Sequence, residues 1–266
     1  MSSAEISVDV YLKSVLGRLE QHYHVMADAL GRPDIVTQGC ESWFRYPEES
    51  DSHLCFLKGV KLISTLNAAL ILLHRGYFHE VAALYRMADD FILEILFMKQ
   101  TLDGDRRNRA QEQFAISFFQ EEFEDIEDPL GTGKSRSTVP RKKISAAFGQ
   151  IVSEGLNPSD AQNVATTMHR TLSGYVHGAY AHIMELYDGS HFCMSGMPRT
   201  PREEEWRQLL VGGIYQSIMA SECISRKLGL IEVEDHIRTL RVEYEGQLAC
   251  LPPNLDPEAL IRTMKK

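Results

Sequence analysis

LISTLNAALILLHRGYFHEVAALYRMADDFILEILFMKQ, residues 62–100, decides the fold. Its apolar residues follow helical rather than alternating spacing. Gly76 interrupts the pattern once. The reading is an apolar helix over about 54–74, a short turn, and a second helix over about 78–101. A turn that short forces the two to pack as an antiparallel hairpin. The run 62–73 is too short to span a bilayer and contains Asn67, so it reads as a buried core helix.

Outward from the hairpin, helical periodicity continues and strand-like alternation is nearly absent. A first helix is expected over about 5–30, ending at Gly31-Arg32-Pro33, and a polar loop over 32–53. Further helices are expected over about 105–125 and 140–154. Asn157-Pro158 is a start signal for a helix running to about Tyr187, where Asp188-Gly189 ends it. Thr200-Pro201-Arg202-Glu203 matches a capping box, opening a helix to about Leu228 with Gly229 as its cap. Helices over 231–248 and from about Pro257 complete the reading, with a mobile loop over about 126–139. The fold class is all-α: a single domain over 1–266, seven to nine helices, a central antiparallel bundle.

Composition narrows the function. Apolar residues are 44% and charged residues 24%, values of a globular chain able to bury a full core. A net charge of -9 argues against broad attraction to DNA or an anionic membrane. The five cysteines lie scattered without a CxxC pair, which argues against a disulfide framework or a structural zinc. MSSAEISVDVYLKS lacks a basic, apolar leader, so the expectation is cytoplasmic, with no membrane partner.

Several motifs fail on their own chemistry. DPLGTGKSRST around 128–138 places Asp128 where a phosphate-binding loop needs glycine. Acidic residues Glu121–Asp128 precede basic Lys134, Arg136, Arg141, Lys142 and Lys143; the basic half suits RNA phosphates, but mutual neutralisation in a solvated loop is the preferred reading. None of the ten histidines completes Glu-x-x-His, and His79-Glu80 has Ala83 where a zinc protease needs histidine. No nucleophile motif or dinucleotide fingerprint is present. The expectation is no cofactor and no metal.

MHRTLSGYVHGAY, residues 168–180, remains. Arg170 and His177 are seven residues apart, so a helix presents both on one face. Histidine suits proton transfer near neutrality, and arginine suits charge building on a phosphate. Ser173 and Tyr180 lie on or near the same stripe. The competing reading packs His177 in the core and pairs Arg170 with a carboxylate. Arg18 and His24 also meet the spacing, but without the hairpin before them.

Arg170-Thr-Leu-Ser-Gly-Tyr-Val-His177 resembles the Arg-x4–6-His motif of the HEPN superfamily, and the hairpin resembles the helix pair that precedes it there. The resemblance covers about 54–187. It implies a metal-independent endoribonuclease of toxin or defence type acting as a homodimer on RNA, with an antitoxin or other partner protein. It also implies His177 as base and Arg170 as phosphate stabiliser. Ser173, Tyr175 and Tyr180 would position the phosphate, with an acidic residue, Asp90 or Glu94, beside the motif. Thr171 stands where many active members carry Asn, Asp or His. The alternatives are a non-catalytic helical protein–protein interaction module and, third, a helical regulator with a ligand pocket.

Overall fold

The computed structural model describes residues 8–102, 106–121, 128–131, 133, 138–151 and 158–248. Among the described residues the regular elements are helical apart from one β-hairpin and a single bridge between Tyr187 and Phe192. In chain order the elements are α1 (Val8–Leu30), β1 (Asp34–Gln38), β2 (Glu41–Arg45), α2 (Asp51–Leu73), α3 (Phe78–Phe97), α4 (Lys99–Leu102) and α5 (Arg109–Phe119). After them come α6 (Arg141–Ile151), α7 (Pro158–Val176), α8 (Tyr180–Met184), α9 (Pro201–Lys227) and α10 (Ile231–Leu248).

Local chemistry sets the ends. The Ser50 hydroxyl accepts the His53 N–H at 3.3 Å and starts α2. Asn108 and Gln111 form a full capping box on α5, each side chain accepting the other's N–H. Thr200 is the N-cap of α9, but its side chain makes no cap bond; the Glu203 carboxylate instead accepts the Arg199 N–H at 2.9 Å. The expected capping box is therefore not formed: only a Glu203 bond is present, and it reaches back to Arg199 rather than Thr200.

Two expectations are corrected. Residues 32–53 are not simply a loop: β1 and β2 pair antiparallel, Val36 opposite Trp43, through a tight turn at Gly39-Cys40. The helix expected to reach Tyr187 ends at Val176, because Gly178 takes φ +61° and turns the chain into α8. Asn157, the acidic residues 122–127 and the helix expected from Pro257 lie outside the described residues.

Burial follows the hairpin. α2 and α3 pack against each other, α9 packs against both, and α1 packs against α2. Leu12, Leu16 and Leu19 of α1 meet Leu62, Leu66 and Leu73 of α2 and Ile214, Ile218 and Ile224 of α9 in one core cluster. α9 approaches closely because it offers small residues there, Gly213, Ser217, Ala220 and Ser221. The buried Ser221 and Tyr23 hydroxyls meet at 3.2 Å. α2 is the one described helix long and apolar enough to cross a membrane, yet half of its most apolar window is buried within the fold. α6 and α7 pack against each other and against α3, and this places the candidate site.

Candidate functional site at helix α7

Three faces of α7 do three different things. The first carries Arg170 and His177, and both are exposed. His177 lies just past the last helical residue, but its N–H still donates to the Ser173 carbonyl at 3.0 Å. The helical course therefore holds, and the two residues share a stripe about 10 Å apart along the axis. The Arg170 side chain makes no hydrogen bond or ion pair with a described residue. His177 is thus exposed rather than packed in the core, and Arg170 pairs with no carboxylate of a described residue. Arg18, of the other match, is bound to Glu243.

A second face turns toward α3 and α6. Arg86 of α3 gathers it: Nη1 binds Asp90, Nη2 lies 3.1 Å from His169 Nε2, and Nε is 3.4 Å from the Ser173 hydroxyl. Arg141 of α6 binds both Asp89, at 2.7 Å, and Asp90. Arginine only donates, so His169 accepts at Nε2 and carries its proton at Nδ1, which is buried without a described partner. Burial first, then the Arg86 and Arg141 charges, push the His169 imidazole down to about 4. Burial holds the Asp89 carboxyl above its ordinary range against the pull of Arg141. Asp89, Asp90 and His169 have ligand-type atoms within 4.8 Å of one another. Two guanidinium groups already neutralise the carboxylates and one occupies His169 Nε2, so the donor set suits an ion-pair network better than a cation.

The third face meets α8 and α9. The Tyr175 hydroxyl donates to Glu185 at 3.0 Å, and Glu185 also binds Arg202 of α9. His182 and Trp206 set their rings against Tyr175 at 4.3 and 5.3 Å between centroids. Burial and then Glu185 push the Tyr175 phenol up to about 12. Gly174 makes this possible, since a Cβ there would lie 2.3 Å from the His182 ring.

The expected site residues thus separate. Asp90 and Ser173 meet through Arg86, one stripe round from Arg170 and His177. Glu94 pairs instead with Lys58 of α2 at 2.7 Å. Tyr175 is spent on Glu185. Tyr180 stands 81% exposed at the start of α8, too exposed to be positioned by its own chain. Sequence reasoning missed Arg86, Arg141 and His169. The available signal was charge at 86, 89 and 90, one helical face of an otherwise apolar segment. Arg141 also leaves the expected charge-balanced loop: it serves Asp89 and Asp90, while Glu121 serves Arg45 of the β-hairpin.

Comparisons with protein-family models, curated proteins and solved structures each return no match.

Proposed function

We propose that this protein is a HEPN-like, metal-independent endoribonuclease of the defence or toxin type. The observation that carries the reading is the joint exposure of Arg170 and His177 on one stripe of α7, neither side chain bonded to a described residue. His177 takes the 2′-hydroxyl proton of the RNA. The 2′-oxygen attacks the adjacent phosphorus, and Arg170 stabilises the charge on the phosphorane. The P–O5′ bond then breaks as the 5′-oxygen takes a proton from water, and the product keeps a 2′,3′-cyclic phosphate. The Arg86–Asp90–His169–Ser173 network fixes α7 on α3 and so holds the pair in place. Lys142 and Lys143, exposed on the helix packed against α7, suit flanking phosphates.

The reading takes the active form to be a homodimer. Val176, Tyr180, Ile183 and Met184 are 38–81% exposed beside His177, an apolar surface suited to a second copy. End-group analysis of RNA cut in the presence of EDTA tests the chemistry. The proposal expects 2′,3′-cyclic phosphate and 5′-hydroxyl ends; 5′-phosphate ends, or cleavage only with added metal, would overturn it.

A second reading rests on the same apolar residues together with Tyr187, Phe192 and Met194, which are exposed as well. A non-catalytic interaction module would use it to bind a partner protein, and would leave RNA intact.

A further inference from the structure

Away from α7, the turn between α2 and α3 packs backbone to backbone against the loop that leads into α9. The Met197 N–H donates to the Gly76 carbonyl at 2.9 Å. A Cβ on Gly76 would lie 2.3 Å from the Pro198 nitrogen, and one on Gly196 would lie 2.3 Å from the Arg75 carbonyl oxygen. Both glycines also take positive φ, so no other residue allows this approach. The two segments wall a cleft of about 610 Å³ whose lining includes Arg75, Tyr77, Ser195 and Arg199.

The charges of this cleft do not cancel. Its one carboxylate, Glu203, is committed to Arg207 at 2.8 Å and to the Arg199 N–H. His74 leans on Asp9 at 3.4 Å, and Asp9 also binds Arg207. Arg75 and Arg199 make no ion pair or hydrogen bond through their side chains with a described residue. Two arginines whose side chains pair with no described residue therefore line one cavity in a chain of net charge -9. Arg199 is also the one described non-glycine residue with positive φ, at +64°. Such a backbone costs free energy and persists where surroundings impose it. In addition, α3 and α9 both begin at this cleft, and neither N-cap, Tyr77 nor Thr200, makes a side-chain cap bond.

We propose that this cleft binds a small phosphate-bearing ligand of mononucleotide size. Arg75 and Arg199 take the phosphate, in the manner in which guanidinium groups recognise phosphate oxygens. Tyr77 and Pro198 flank the rest of the molecule, and the volume falls within the ordinary range of ligand sites. Arg170 and His177 do not line the cleft, so the inference stands apart from the nuclease reading.

Isothermal titration of the full chain with AMP, pyrophosphate, adenosine and a short oligoribonucleotide tests it. AMP and pyrophosphate bind, adenosine does not, and Arg75→Gln and Arg199→Gly each weaken binding at least about tenfold. Arg199→Gly also relieves the positive φ, so its melting temperature holds or rises, and lost binding cannot be blamed on lost fold. Three results would overturn the proposal: no binding of either phosphate probe at millimolar concentration, equal binding by wild type and both variants, or binding of the oligoribonucleotide alone.

Discussion

At Gly174 a hydrogen atom does what no side chain can. Inside a helix glycine costs up to about 1 kcal/mol against alanine, so propensity alone makes it a defect. The fold gives the reason: the His182 ring fills the space a Cβ would need. Gly174→Ala is therefore expected to destabilise by about 1–3 kcal/mol in urea unfolding, against the sign of helix propensity. Pairing it with His182→Ala should return much of the loss; an unchanged Gly174→Ala midpoint would remove the argument. Arg170 and His177 were readable as a pair because spacing alone fixes which residues share a stripe. His169 was not, because its role depends on which neighbour lies 100° further round the helix, and only packing against Arg86 decides that. Arg170→Ala and His177→Ala remove side chains that make no hydrogen bond or ion pair with a described residue. Both should melt as the wild type does while losing roughly 10²-fold or more in cleavage rate.

On the scale of elements, the long helices were legible wherever an apolar stripe ran between strong stop signals, as in α1, α2, α3, α9 and α10. The β-hairpin was not. Its strands are five residues each and almost wholly exposed, so no face of alternating apolar residues marks them. The break at Gly178 was hidden because glycine is tolerated within a helix until the chain needs a positive φ. The seam between α3, α6 and α7 makes a prediction about pH. His169 titrates near 6.5 when unfolded but only near 4 when folded. Between those values the unfolded chain binds the extra proton, so stability falls as pH drops from about 6.5 toward 4. His169→Gln lacks that proton uptake, and its melting temperature should fall less steeply between pH 7 and pH 5. Parallel melting curves for the two proteins would contradict the assignment of a neutral His169.

For the whole molecule, the all-α class followed from periodicity, and the described helices bury one connected core. What periodicity does not supply is which side of that core meets other molecules. The face formed by the end of α7 and by α8 leaves Val176, Tyr180 and Ile183 in water beside His177. If this face joins two copies, Tyr180→Glu with Ile183→Asp should convert dimer to monomer in sedimentation velocity and lower cleavage with it. A wild type that sediments as a monomer at micromolar concentration would count against a shared cleft. The central claim, that Arg170 and His177 form an active site, is tested most directly by incubating tRNA and mRNA in EDTA with wild type, Arg170→Ala and His177→Ala. The account predicts cleavage by the wild type, lost in both variants while all three keep the same melting temperature. Intact RNA in every reaction, or equal cleavage in all three, would contradict it and leave the exposed face of α7 to a protein partner.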